Sequence, residues 1–148
     1  MNITAADAAF IRSLALRAVS SNRAPGMHFP GYFMRLAKQR YEKDGVEFTV
    51  EPGPHTSNAQ GIVHRGALLF AADMALAGAN RVHIDPNVRT ATLMLRVDFT
   101  GAPACGAITA VGRGSGFQPR TALPESTCTG AILCDGREVV RSEEHTLN

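Results

Sequence analysis

The run from Ala67 to Ala79, ALLFAADMALAGA, is small or apolar at every position but one, Asp73. At helical spacing it presents apolar surface on nearly every side, and such a helix has to be enclosed by the rest of the chain. Its alanines and Gly78 keep it thin, so a sheet can wrap closely around it. The run is too short to cross a bilayer, and it carries a carboxylate in its middle. Three and four residues from Asp73 stand only Leu69, Phe70, Leu76 and Ala77, so no ion pair on the same helix neutralises it. A buried carboxylate without a partner is costly. Asp73 therefore has either a backbone donor that satisfies it or a chemical role. The role is general base or nucleophile, its pKa raised by burial and lowered by donors aimed at it.

The flanking sequence supplies the enclosure. Thr4, with Asp7 three residues on, reads as a capping arrangement ahead of a helix whose apolar side is Phe10, Ile11, Leu14 and Ala18. That helix is expected to stop near Ser20-Ser21-Asn22, with a turn at Pro25-Gly26. A second short helix is expected from about Tyr32 to Arg40, followed by a turn at Lys43-Asp44-Gly45. Val46, Phe48 and Val50 alternate with Glu47, Thr49 and Glu51 as in a half-exposed strand, ended by Pro52-Gly53-Pro54. A loop from His55 to about Ile62 leads into the central helix, which is expected to end at Asn80, ahead of a turn at Asp85-Pro86-Asn87.

From Val88 the pattern is one of strands. Leu93, Leu95, Val97 and Phe99 alternate with Thr92, Met94, Arg96 and Asp98. Further strands are expected over Ala104 to Gly116, Thr121 to Leu133 (with Pro124 marking an edge or bulge) and Glu138 to about Thr146. Asp135-Gly136 is a tight-turn signal between the last two. The economical architecture is an antiparallel sheet curved around one long helix, an α+β fold.

Composition narrows the function. At 148 residues the chain is long enough for one domain with its own core. Fifteen Lys and Arg against thirteen Asp and Glu leave a net charge of +2 with no block of one sign, which argues against a nucleic-acid or membrane-surface partner. Three cysteines, Cys105, Cys128 and Cys134, without a C-x-x-C spacing point to a reduced, cytoplasmic setting rather than a disulfide framework. The N-terminus, interrupted by Arg12 and Arg17, lacks a signal-peptide layout. His55, His83 and His145 are scattered, and no ligand spacing supports a metal site. There is no G-x-S-x-G, and the glycines around Arg113 precede no helix, so they form no phosphate loop.

Chemistry instead concentrates ahead of the central helix. His64 and Gly66 fall at its expected start, where backbone N–H groups lack intrahelical acceptors. With the positive end of the helix dipole these amides suit a developing oxyanion. Asn58, six residues before His64, is placed to bind a carbonyl, position a water or stabilise the loop. His28-Phe29-Pro30-Gly31 resembles the HFPG opening of acyl-carrier-protein dehydratases, but the second proline-glycine of that motif is missing.

Taken together, Asn58, Gly61, His64, Gly66, Asp73 and the stretch from Pro103 to Gly106 resemble the PaaI-like acyl-CoA thioesterases of the hot-dog fold. That signature runs Asn, a short gap, Gly, His-Gly-Gly, then Asp two to three turns into the helix. Here it reads N-AQ-GIV-HRG-ALLFAA-D. The resemblance covers roughly residues 45 to 146 and implies a hot-dog core over 45–148 with a helical extension over 1–44. Arg65 stands where the first glycine after the histidine is usual. It keeps its N–H, brings a bulky cation, and would be strained if the position demanded a positive φ.

The resemblance implies hydrolysis of an acyl-CoA without a cofactor. Asp73 is then the base or nucleophile, and the N–H groups of Arg65 and Gly66 polarise the carbonyl. Asn58 holds the nucleophile or water in line, and His64 orients the loop or assists. It implies a homodimer or homotetramer in which a hydroxyl on the strand after the helix, Thr92 first and Thr90 second, reaches the partner's aspartate. Arg113 and Arg120 are the candidate cations for the phosphates of coenzyme A. Two other readings share the fold: an acyl- or aryl-CoA binder that does not turn its ligand over, and an enoyl hydratase or dehydratase.

Overall fold

The computed structural model describes residues 4–21, 29–85, 87–115 and 125–147. Two helices lead, α1 (Ala5–Ser21) and α2 (Phe29–Phe33), followed by a hairpin of β1 (Leu36–Glu42) and β2 (Gly45–Val50). The central helix α3 (Arg65–His83) comes next, then β3 (Ala91–Phe99), β4 (Ile108–Ser115), β5 (Glu125–Cys134) and β6 (Arg137–Leu147). The strands make one sheet in the order β1-β2-β4-β5-β6-β3, antiparallel at every junction.

The apolar run does what its composition requires. Leu68, Ala71, Ala72, Ala75, Leu76 and Ala79 of α3 are buried against Val46, Phe48 and Val50 of β2, Ile108 and Ala110 of β4, Ile132 of β5 and Val140 of β6. Phe48 and Leu76 are among the largest fully buried side chains, each contributing about 1.5–3 kcal/mol of transfer free energy. The helix is thin enough for backbone contact: a Cβ on Gly112 of β4 would lie 2.1 Å from the Ala75 carbonyl oxygen. Glycine is required there by proximity alone.

Local signals hold at both ends of the chain. The Asp7 amide donates to Thr4 Oγ1 at 3.1 Å, and Thr4 Oγ1 donates to Asp7 Oδ2 at 2.7 Å, closing the cap of α1. Asp135 and Gly136 carry φ of 46° and 76°, the pair of positive values that a two-residue hairpin turn needs.

Four expectations are corrected. The helix expected from Tyr32 to Arg40 is instead the short α2 followed by strand β1, because residues 36–42 complete a hairpin with β2 across the Lys43-Asp44 turn. The sheet thus takes in residues that the sequence pattern had given to the helical extension. The central helix runs past Asn80 to His83, with Asn80 buried and its Oδ1 accepting from the Ser126 hydroxyl at 2.5 Å. The strand expected from Ala104 begins at Ile108, and Ala104 and Cys105 pair instead with the loop before α3. Finally, strict alternation fails in β3. A bulge between Thr92 and Met94 sets Thr92 opposite Thr146 and Leu95 opposite Glu144, so Thr92 and Leu95 share the inner face.

The N-terminal segment braces the loop that leads to α3. Leu14 and Ala18 of α1 are buried. Phe10 of α1 and Phe33 of α2 pack on the His55 ring with centroids 5.6 and 6.1 Å away. His28, Pro86, Arg120, Thr121 and Pro124 lie outside the described residues.

Candidate active site

The loop from Gly53 to His64 is folded by its own short polar side chains. Thr56 Oγ1 accepts from the Gly53 amide at 3.0 Å. Asn58 Oδ1 accepts from the amides of Gln60 at 3.0 Å and Ile62 at 2.9 Å, a side-chain-capped turn of the kind asparagine favours. Gly61 completes the turn with φ 75°. Both acceptor contacts use the Asn58 oxygen, so its amide nitrogen is the half of the side chain left to meet a ligand. The Val63 amide donates to the Ala104 carbonyl at 2.8 Å, which ties the loop to the stretch from Pro103 to Gly106.

His64 caps α3 in an extended conformation, φ −65° and ψ 137°, without a side-chain capping bond. Its amide donates to the Thr56 carbonyl at 2.9 Å, and its carbonyl accepts from the amides of Ala67 at 2.9 Å and Leu68 at 3.2 Å. Two amides of the first turn, those of Arg65 and Gly66, have no acceptor among the described residues. They sit where the helix dipole favours negative charge. The strain considered at Arg65 does not arise, because Arg65 is the first helical residue and its φ is not positive. Its guanidinium turns aside and lies over the Phe99 ring at 5.2 Å. Space beside Gly66 is open.

Asp73 is half-buried on α3, and burial raises its pKa above the ordinary carboxylate value. No cation pairs with it among the described residues. Glu144 of β6 is 1% exposed, and its pKa is raised first by its own burial and also by the charge of Asp73. Its Oε1 accepts from Thr92 Oγ1 at 2.5 Å and from Thr146 Oγ1 at 3.2 Å, while Oε2 is buried without a partner. Thr92, expected to reach a partner's aspartate, spends its proton on Glu144 of its own chain.

The structure therefore joins Thr92 of β3 to Glu144 of β6 by a hydrogen bond, and gathers Asn58, His64, Arg65 and Gly66 at the entrance of α3, with Asp73 half-buried farther along that helix. Arg113 is not brought to either place. Gly112 faces α3, so Arg113 points to the outer face, where it binds Asp44 at 3.2 Å and Glu42 at 3.5 Å. Glu144 was missed from sequence. Period-two alternation in β6 was the available signal, since Val140, Ser142, Glu144 and Thr146 share one face and Val140 is core.

No family model matches the sequence, and no curated protein matches it. Solved structures do. A Bacillus halodurans protein solved with CoA superposes with a TM-score of 0.79 at 15% identity, covering 99% of this chain and 95% of its own. A mutant thioesterase from Pseudomonas aeruginosa gives 0.68 at 15% identity, with 90% and 91% covered. A putative thioesterase from Ralstonia eutropha, described as related to phenylacetic acid degradation, gives 0.68 at 15% identity, with 91% and 98% covered. At these identities the likeness establishes architecture: a long helix wrapped by a six-stranded antiparallel sheet, behind an N-terminal helix, is the hot-dog fold.

Proposed function

We propose that this chain hydrolyses an acyl-CoA thioester, with Asp73 as general base or nucleophile and the N–H groups of Arg65 and Gly66 as the oxyanion site. The observation that carries the reading is a half-buried carboxylate with no ion-pair partner among the described residues, on a helix whose first two amides have no acceptor among them either. Three neighbours of the same fold named as thioesterases, and one solved with CoA, support the substrate class.

As base, Asp73 takes a proton from water while the water oxygen bonds to the thioester carbon. The carbonyl electrons move onto oxygen, where the two amides meet the charge. The C–S bond then breaks, and the leaving thiolate recovers the proton. As nucleophile, the Asp73 carboxylate bonds to the same carbon, the C–S bond breaks and the leaving thiolate takes a proton from solvent; water then cleaves the resulting anhydride, releasing the acid and restoring the carboxylate. In either course the Asn58 amide nitrogen orients the attacking or accepting oxygen, and His64 holds the loop through its backbone.

One chain does not complete this site. Asp73 lies eight positions along the helix from Arg65, a rise of about 12 Å, whereas attack needs the nucleophile about 3–3.5 Å from carbon with donors within about 3 Å of its oxygen. The helix N-terminus facing Asp73 must come from a second copy, so the smallest competent assembly is a homodimer. The surface fits such pairing. β3 is an edge strand with an unpaired side, and Leu93, Met94 and Phe99 on it are exposed together with Ile62 and Leu69.

No described helix is long and apolar enough to cross a membrane. Three free cysteines and an acyl-CoA substrate suit the reducing cytoplasm.

The test is a thiol-trapping screen over short, long and aryl acyl-CoAs with the wild type and Asp73→Asn. The expected result is release with at least one substrate and a loss of about 10²–10⁴-fold in kcat on substitution. Saturable CoA binding without thiol release makes the protein a binder. Hydration of an enoyl-CoA without release makes it a hydratase.

A further inference from the structure

His55 is 9% exposed, and neither of its ring nitrogens has a hydrogen-bond partner. A phenylalanine would fill the same seat without stranding a donor or an acceptor. What the histidine adds is the capacity to take a proton.

The groups facing the ring leave that proton poorly housed. From α1 the neighbour is Phe10, with ring centroids 5.6 Å apart, and from α2 it is Phe33 at 6.1 Å, edge-on. From the turn between α2 and β1 comes Arg35, whose guanidinium lies over the Phe10 ring at 5.8 Å. Past the end of β2 stands Glu51, already bound to Arg35 at 3.0 Å. Burial first, then the Arg35 charge, lower the pKa of His55 below the ordinary 6.5; the Met34 backbone and Glu51 act the other way without reversing it. An imidazolium here would carry a charge and two buried donors beside a like charge. Leaving the seat relieves it, and leaving separates α1 and α2 from the loop.

That loop leads directly to the candidate site. The ring lies so close on its backbone that a Cβ on Gly53 would come within 2.9 Å of it. The Gly53 carbonyl accepts from the amides of Thr56 at 3.0 Å and Ser57 at 2.9 Å, and the Thr56 carbonyl accepts from the His64 amide at 2.9 Å. The next amide along the chain is that of Arg65. Contacts thus run without a break from the Phe10 and Phe33 rings to the first turn of α3.

We propose that His55 is a positioning residue whose neutral ring docks α1 and α2 on the loop before α3, and whose protonation releases them and loosens the amides at the helix entrance. The catalytic half rests on the thioesterase reading of that entrance; the docking half does not. The undocked ring titrates near the ordinary value and the docked ring below it. Docking is therefore at full strength above about 6.5 and weakens about tenfold per pH unit below it, until the docked ring itself titrates.

The experiment is hydrogen–deuterium exchange of the full chain between pH 7.5 and 5, expressed as protection factors so that the intrinsic pH dependence of exchange cancels. The kcat/KM for thiol release is measured in parallel. In the wild type, protection in α1 should fall about tenfold per pH unit below the ordinary histidine value, with residues 53–64 following, while β4, β5 and β6 stay protected. In His55→Phe, α1 should keep its protection throughout. In Arg35→Gln the total fall should be smaller, because the like charge is gone, and that variant serves if His55→Phe does not fold. The acid limb of kcat/KM should be steeper in the wild type, where Asp73 and His55 both take protons, than in His55→Phe, where only Asp73 does. Protection in α1 that ignores pH, or that falls equally in all three proteins, overturns the docking. Identical acid limbs in the wild type and His55→Phe overturn the positioning role. If exchange behaves as expected while Asp73→Asn keeps full activity, the proton-controlled docking stands and the thioesterase assignment of Asp73 falls.

Discussion

Replacing Arg65 with proline removes one backbone N–H and the side chain's contact with Phe99. The position is the first of α3, where proline's fixed φ suits the helix and its missing donor is not needed. His64 already holds the extended conformation that a residue before proline prefers, ψ 137°. The Arg65 amide has no acceptor among the described residues, so no hydrogen bond of the fold is lost. Stability should therefore fall by no more than about 0.5–1 kcal/mol, the Phe99 contact that Arg65→Ala gives up as well, by denaturant midpoint at fixed protein concentration. Losing one oxyanion donor should cost about 10²–10³ in kcat, equivalent to about 2.7–4 kcal/mol of transition-state stabilisation. Arg65→Ala keeps the N–H and gives up only the side chain's contact with Phe99, worth about 0.5–1 kcal/mol at an exposed site; its rate should fall by less than tenfold. Thiol trapping under saturating substrate compares the two. Equal rates for Arg65→Pro and Arg65→Ala in folded protein would refute the assignment of that amide.

Asn58 separates structure from catalysis. Asn58→Asp keeps an oxygen for the Gln60 and Ile62 amides but loses the nitrogen donor, so kcat should drop while the melting temperature holds. Asn58→Ala should also lose about 1 kcal/mol of stability. His55 gives the fold a pH dependence, since burial, with help from the Arg35 charge, lowers its pKa below the ordinary 6.5. The unfolded chain then binds the proton more readily, so stability is full above the ordinary histidine value and is lost as pH falls through it, by at most about 1.4 kcal/mol per pH unit. The raised acids Asp73 and Glu144 act with the opposite sign, so the informative quantity is the difference between wild type and His55→Phe, whose acid-side loss should be smaller in thermal melts between pH 7.5 and 5.

The enclosed helix and its sheet were legible in sequence because Ala67–Ala79 admits no other solution and period-two runs surround it. What escaped detection depended on pairing between distant strands. β1 has no alternation strong enough to outweigh the helical spacing of Phe33, Leu36 and Ala37, and only its hairpin with β2 makes it a strand. Thr92 reads as outward-facing until the bulge against β6 turns it in. Glu144 is one more charged letter in Arg-Ser-Glu-Glu-His until the register sets it under Asp73's helix. Asp73 and the loop from Asn58 to Gly66 were legible because their signal is local: an isolated carboxylate and a helix entrance.

The central claim, that Asp73 of one chain works with the helix entrance of another, is tested most directly by complementation. Asp73→Asn and Arg65→Pro chains are co-refolded in equal amounts and assayed for thiol release. Random pairing makes half the dimers mixed, and each mixed dimer regains one site with both parts intact. Recovery to about a quarter of wild-type activity from two nearly inactive parents is expected. A mixture no more active than its parents, with mixed dimers shown to form, would contradict it.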